Sequence, residues 1–558
     1  MLFLLISSLF AQGQVFWQEN GVCVCNRTFQ GGGYVVSIVS DSCGGAIVIW
    51  VDTRGNQSSI YAQRIDKNGN CLWMSNGVLL RNNTWFPNYL FSVSDGKGGV
   101  IATWVDYSAG PYPIQVTAQR VDSSGNICWG TNGVVVAGAD RNLEYYPMIE
   151  TDGRSGAIVG WIVTNFDNYY KDSVYVQRID SAGQIRWTSG GVSVNTDSCF
   201  CYNTPPSLTI DGLNGVIITW SDGRENENFG VFAQRIDSSG NILWRHGGVP
   251  ICTTLMYHRK SFVTKSQFGN CLVSWSDDRQ GNWDVYAQLI DPNGQILWSN
   301  NGELVCSDTA SQWIMALGES FENCILIWSD SRNGLWDIYA QKLNILGLRL
   351  WDSLGVRIGQ TRYDEPKLFS IISDDRGGAI IAWQYWGING WDIYCQRIDS
   401  TGRQCWSDTG LPVCSDPELQ RWDPPAITTD GANGSIIAWG DDRPSGTNAS
   451  VYSQRVGDAV GIEKNDDRIT LDCKLQISPN PVKSALRVRV PWASFTPNAS
   501  RPLLKIFDVS GKLIKENEIL RFTQNDKTGE ITISLKGINP GIYFLQLGTK
   551  LEKFLVVK

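Results

Sequence analysis

Histidine is almost absent from this chain. Its 558 residues hold two, His246 and His258, both in one region. That excludes a metal centre built from several imidazoles and leaves little for histidine-based acid–base chemistry. Methionine is scarce as well (5), and no GxSxG, glycine-rich phosphate loop or HExxH occurs. Nucleophile-elbow hydrolysis, phosphate-loop chemistry and zincin chemistry therefore have no support. Basic residues (47) are outnumbered by acidic ones (55), for a net charge of −8. A strongly basic face for nucleic acid is not expected. Nor is a transmembrane anchor, because no apolar run reaches the roughly 20 residues that span a bilayer. The opening "MLFLLISSLFAQGQ" is about half that length. Small Ala11 and Gly13 precede Gln14, as at the cleavage site of a secretory signal peptide covering residues 1–13.

What the chain has in plenty is glycine (57) and tryptophan (24). The tryptophans are periodic. One set stands at Trp50, Trp104, Trp161, Trp220, Trp275, Trp328, Trp383 and Trp439, and a second at Trp17, Trp73, Trp129, Trp187, Trp244, Trp298, Trp351 and Trp406. A glutamine follows the same period at Gln63, Gln119, Gln177, Gln234, Gln288, Gln341, Gln396 and Gln454. The interval is about 55 residues, and each mark occurs eight times.

Each unit reads as four short strands, in the fifth "KSFVTK", "NCLVSW", "DVYAQLI" and "QILW…ELVC". The third and fourth are joined by Asp-x-x-Gly, where Asp starts the turn and Gly takes the positive φ. A four-stranded meander repeated eight times predicts an all-β, eight-bladed propeller over residues 14–460. The eighth unit lacks its tryptophan strand, and Trp17 to Cys25 supplies one. The two chain ends should pair and close the ring. The tryptophans should fill the widening gaps between blades. Gln63, Gln234, Gln288 and their equivalents should satisfy buried backbone groups.

The first tryptophan opens W-x-D-x-R in five units, as in Trp275-Asp277-Arg279. Five copies around a ring favour a structural Asp–Arg bridge over one active site. "DDRQGNWD" leaves calcium through Asp277 and Asp284 open, though its spacing is not that of a known calcium loop. The D-x-x-G-x-x-x-W pattern resembles the Asp-box of sialidases but departs from its spacing, so no activity carries over. The 15 cysteines permit disulfides whose pairing the spacing leaves open. Cys25, Cys252, Cys306 and Cys414 hold equivalent positions and should not meet.

After residue 460 the period stops. Residues 461–475 are polar and read as a linker. Alternating strands broken by proline and glycine turns then indicate a small β-sandwich. Residues 476–558 carry Pro479-Asn480-Pro481, "IFDVSGKLI" with Asp508, Gly511 and Lys512, "INPGIYFLQL" with Asn539, Pro540 and Gly541, and a terminal "KFLVVK" with Lys553. In this order they resemble the type A C-terminal sorting domain of type IX secretion cargo. The resemblance implies an immunoglobulin-like sandwich, export across a Gram-negative outer membrane, contact with the type IX machinery and a sortase, and a secreted or cell-surface product.

The blade-to-blade connections carry Trp85, Tyr145, Tyr146, Tyr202, Tyr257, Trp313, Tyr363 and Trp422. Of these, Trp85, Tyr146, Tyr257, Trp313, Tyr363 and Trp422 mark an expected ligand face, where rings stack on sugars beside polar groups. The same residues could equally plug the top of the core. Three readings stay open: a non-catalytic binding or adhesion module for glycan or protein, a secreted carbohydrate-active enzyme using paired carboxylates, and a structural surface component.

Overall fold

The computed structural model describes residues 13–458 except 31–34, 55–57, 85–87, 107–113, 139–142, 165–171, 196–203, 226–227, 255–260, 307, 321–322, 364–368, 387–389, 417–423 and 442–447. In the C-terminal part it describes 476–478, 485–491, 503–508, 513–518, 528–534, 539–547 and 550–556. Two units separate, Met1–Ala459 and Val460–Lys558.

The first unit is an eight-bladed propeller of antiparallel meanders. Blade 1 runs Val35–Ser40, Ala46–Asp52, Ser58–Ile65 and Val78–Thr84. Blade 5 runs Phe262–Lys265, Cys271–Asp277, Asp284–Ile290 and Glu303–Leu304, and blade 6 Gln312–Ser320, Asn323–Asp330, Trp336–Leu343 and Val356–Tyr363. The first strands of successive blades pack against one another around the axis, and that of blade 8 meets that of blade 1. The ring closes as the sequence predicts. Both Gly13–Val15 and Val22–Gln30 pair with Asn448–Asp458, the third strand of blade 8.

The second strands are buried on both faces; all seven residues of Ala46–Asp52 are. The first set of tryptophans sits there, fully buried in every blade. Seven of them lie opposite an aromatic ring of the third strand. Trp50 stacks on Tyr61 at 6.2 Å and Trp275 on Tyr286 at 6.2 Å. Burial of an indole is worth about 4–6 kcal/mol at roughly 25 cal/mol per Å². An unbonded buried N–H costs about 1–3 kcal/mol. Trp50, Trp104 and Trp161, whose Nε1 has no hydrogen-bond partner, are therefore still net stabilising.

The second set of tryptophans departs from expectation. Trp73, Trp244 and Trp298 do not lie on the fourth strand. They occupy the bend before it, which leaves a fourth strand of only Glu303–Leu304 in blade 5. The repeated glutamine explains the bend. Gln63 Nε2 donates to the Met74 carbonyl at 2.9 Å, and its Oε1 accepts from the Trp73 and Arg64 amides. Gln234 and Gln288 do the same for Trp244 and Trp298. The chain leaving the Asp-x-x-Gly turn is thus tied to the third strand by a side chain, where a longer ladder would otherwise do it.

From that bend each indole reaches the next blade. Trp73, Trp129, Trp187 and Trp244 donate Nε1 to the carbonyls of Ser123, Ser181, Ser238 and Pro292 at 3.0–3.2 Å. The arginine after the glutamine donates Nη1 to the same oxygen, from Arg64, Arg120, Arg178 and Arg235, at 2.8–3.1 Å. Its other nitrogens hold a buried aspartate of its own blade, Asp41, Asp95, Asp152 or Asp211. That aspartate's second oxygen accepts two backbone amides of the first hairpin, as Asp41 does from Cys43 and Gly45. At the closure Trp17 and Arg455 donate to Lys67 O, and between blades 7 and 8 Trp406 donates to the Asp458 carboxylate. The turn glycine is required for two reasons. Gly402 has φ +88°, and a Cβ there would lie 2.7 Å from the Trp351 ring.

Blade 5 breaks the scheme at both ends at once, with Ser266 for the aspartate and Leu289 for the arginine. Loss of one partner of a buried pair costs about 3–5 kcal/mol, whereas replacing both need cost little. Arg178→Leu should therefore lower the thermal midpoint more than the double change Asp152→Ser/Arg178→Leu, by calorimetry of the four-member cycle. A double variant as unstable as the sum of its singles would show that the pair does not couple.

In the second unit Gln476–Ser478, Ala485–Pro491 and Thr528–Ser534 form one antiparallel sheet. Leu513–Glu518, Leu503–Asp508, Gly541–Leu547 and Lys550–Val556 form a second. Ile506 is fully buried.

Candidate functional site

Antiparallel meanders divide the propeller into two faces. The clasps of arginine, tryptophan and Asp-x-x-Gly turn occupy one. The opposite face carries the loops from second to third strand and the entries to the first strands. There the W-x-D-x-R motif is an internal brace. Arg279 pairs with Asp277, donates to the Asn301 carbonyl at 2.9 Å and lies 3.7 Å over the Tyr286 ring. Arg54 and Arg332 likewise pair with Asp52 and Asp330 and lie over Tyr61 and Tyr339. The Arg279 and Arg332 guanidinium groups also reach buried Cys252 and Cys306, at 3.1 and 3.2 Å. Burial pushes the Cys252 and Cys306 thiols up, which suits packing rather than nucleophilic chemistry.

Blades 5 and 6 add a feature to this face. Trp283 immediately precedes the third strand of blade 5, at "NWDVYAQ", and Trp336 opens that of blade 6, at "LWDIYAQ". Trp313 stands on the first strand of blade 6. The three half-buried rings form a row. Trp283 meets Trp313 edge-on at 6.3 Å, and Trp313 meets Trp336 at 5.4 Å with 49° between planes. Beside them Asn282 donates Nδ2 to Asp284 Oδ1 at 2.9 Å and to the Ala310 carbonyl at 3.1 Å. Asn333 donates Nδ2 to Asp337 Oδ2 at 2.8 Å and to the Tyr339 hydroxyl at 3.1 Å. Asp337 is also paired with Arg357 at 3.0 Å.

The acids lie behind this surface. Asp277 is 0% and Asp284 2% exposed, directly opposite each other across the hairpin. Burial, reinforced by the Asp277 carboxylate, pushes Asp284 up to about 6, against the opposing Asn282 bond and Arg279 charge. Asp277 already accepts from Arg279 and from Trp275 Nε1, the latter at 2.8 Å. No group of three or more potential metal ligands occurs among the described residues.

Of the residues expected at a ligand face, Trp313 joins the row. Tyr146 sits in a separate group, 4.5 Å from Tyr89 and 6.2 Å from Tyr145. Tyr363 ends the last strand of blade 6, its backbone opposite Trp336. Trp85, Tyr257 and Trp422 lie outside the described residues. Trp283, Trp336, Asn282 and Asn333 were not singled out by sequence, because they stand in loops read as bridges. The Trp-Asp dipeptide at the start of the third strand of blades 5, 6 and 7 was the available signal. In the second unit Asp508 pairs with Tyr543 and Lys553 with Phe544. Gly541 begins a strand, and Asn539 and Pro540 are exposed. Pro479, Asn480, Pro481, Gly511 and Lys512 lie outside the described residues.

Residues 476–558 match the model of the secretion system C-terminal sorting domain. The type IX segment marks proteins that are secreted or attached to the outer cell surface, and this protein is one of them. No curated protein matches the chain. Among solved structures, a mutant puromycin hydrolase complexed with PGG is similar at 13% identity and TM-score 0.42, over 76% of this chain and 60% of its own. An alpha-L-arabinanase of Penicillium chrysogenum complexed with arabinobiose is similar at 13% identity and TM-score 0.38, over 67% and 93%. A mutant of the NanB sialidase from Streptococcus pneumoniae is similar at 8% and 0.36, over 74% and 83%. Likeness of this order says nothing of chemistry, and the blade count rests on the strand pairings above. No helix among the described residues is long and apolar enough to cross a membrane.

Because Asp284 binds its proton more tightly folded than unfolded, its contribution to stability is complete below pH about 4 and is lost as pH rises through about 6. Asp284→Asn should flatten the thermal midpoint across that window and raise it relative to the parent above pH about 6.5. A parallel shift at every pH from about 4 to about 7.5 would contradict the assignment.

Proposed function

We propose that the propeller is a surface-displayed, non-catalytic binding or adhesion module for an extracellular glycan or protein, delivered by its tail to the type IX machinery. The observation that carries this is the asymmetry between faces. One face repeats the same clasp at four successive blade junctions. The other breaks the repeat at blades 5 and 6, where three indoles gather beside two asparagines. Aromatic rings with a few fixed polar groups are what a binding surface requires. Buried Asp277 and Asp284 argue against a substrate-facing acid pair there, since general acids and bases must reach the reacting atoms. The remaining parts of the reading are a signal peptide over 1–13, a linker over 461–475, an immunoglobulin-like packing of the two C-terminal sheets, and sortase processing. Buried Ile506 supports that packing.

A carbohydrate-active enzyme is the second reading. It draws on Asp284, whose proton affinity near neutral pH beside ion-paired Asp277 is the kind of split acid catalysts use. A polysaccharide digest followed by reducing-end release separates the two readings, and turnover abolished by Asp284→Asn would favour the enzyme.

Delivery is tested by removing residues 476–558 and fractionating a type IX-competent host. The truncated chain should accumulate in the periplasm while the full chain reaches the surface or medium. Equal surface display of both would remove the tail from the export route.

A further inference from the structure

We propose that the Trp283–Trp313–Trp336 row, with Asn282 and Asn333, is a binding site for a neutral polysaccharide. This deepens the binding-module reading and rests on it. The ligand class follows from three features. First, the rings touch one another, with centroids 5.4 and 6.3 Å apart. Touching rings leave no gap for a cation among them, so this is not an aromatic cage for a quaternary ammonium. They offer three adjoining apolar surfaces set at 76° and 49° to one another, suited to the C–H faces of sugar rings.

Second, both asparagines are held in one orientation. The Nδ2 of Asn282 faces a carboxylate and a carbonyl, and the Ala310 carbonyl can only accept. The Nδ2 of Asn333 faces the ion-paired Asp337 and the Tyr339 hydroxyl. In each case Oδ1 is the acceptor that the amide has to offer. Asn333 is exposed and Asn282 half-buried. Two fixed acceptors beside these apolar surfaces select hydroxyl donors.

Third, the guanidinium groups described at these two hairpins are already committed. Arg279 and Arg332 pair with Asp277 and Asp330 over their tyrosines, and Arg357 pairs with Asp337. An acidic polysaccharide would therefore meet two acceptors and cations whose charge is already matched by buried carboxylates. Asp284 and Asp337 thereby gain a role. They are positioning residues that fix the two amides.

The test uses the full chain as secreted. It is run on native affinity gels cast with cellulose derivative, xylan, arabinan or mannan, and with polygalacturonate and heparin as acidic probes. Retardation is expected on at least one neutral gel and on neither acidic one. Asn333→Ala, at an exposed position, and Trp313→Ala should each weaken that retardation at least about tenfold. Trp386→Ala, on the exposed hairpin of blade 7, should leave it unchanged. A thermal midpoint for each variant separates loss of binding from loss of fold. Retention on a neutral gel that survives Asn333→Ala and Trp313→Ala in folded protein would overturn the site but leave the glycan-binding reading standing. Retention on no neutral gel would overturn this inference, and capture by a surface protein instead would leave only the protein half of the broader reading.

Discussion

The propeller depends on a shared carbonyl oxygen at five of its blade junctions. At four junctions the carbonyl of an Asp-x-x-Gly turn accepts from both the arginine and the tryptophan of the blade before it. The turn must therefore sit at one position, and its glycine must lack a Cβ to let the indole in. The arginine in turn fixes a buried aspartate, which fixes the first hairpin. One carbonyl thus sets the register of two hairpins and the spacing of two blades. Geometry that repeats around a ring has to close. Here the closing pair is Trp17 and Arg455 on Lys67, with Arg455 and Lys67 separated by 388 positions in the chain.

That arrangement commits one face to architecture and frees the other. On the free face the braces between Asp and Arg hold the hairpins of blades 1, 5 and 6 from within, so the loop residues above them can vary at little cost to the fold. Blades 5 and 6 use that freedom for three tryptophans. Blade 5 is also where the Asp–Arg clasp is replaced by Ser266 and Leu289. Its buried acids stand instead on the opposite face, as Asp277 and Asp284. A buried acid whose proton affinity lies near neutral pH is a cost to folding. Beside the indoles it accepts from Asn282 Nδ2 at 2.9 Å.

Much of this was legible in sequence, because a repeat reports its own constraints. Eight tryptophans, eight glutamines and the turn glycines marked blade count, strand number and ring closure, since period and turn chemistry are local. The bend holding Trp73 and Trp298 was not legible. Whether an apolar residue lies on a strand or just before it depends on a glutamine side chain from the neighbouring strand. The clasp was hidden for a related reason. Arg178 and Asp152 stand 26 residues apart, and their meeting with Ser238 requires the next blade to be in place. At the site, Trp313 was visible as an aromatic in a connection. Trp283 and Trp336 were masked by the stronger W-x-D-x-R pattern around them, and only spatial proximity joins the three.

The claim that the shared-carbonyl clasps close one cooperative ring is tested most directly by native-state hydrogen exchange of the full chain. Amides of Val22–Gln30 should exchange with the same free energy as those of Ala46–Asp52 and Cys271–Asp277, because opening the closing strand opens the ring. If Val22–Gln30 exchanges early and alone while the other blades stay protected, the closure is a dangling strand and the clasp does not hold the ring together.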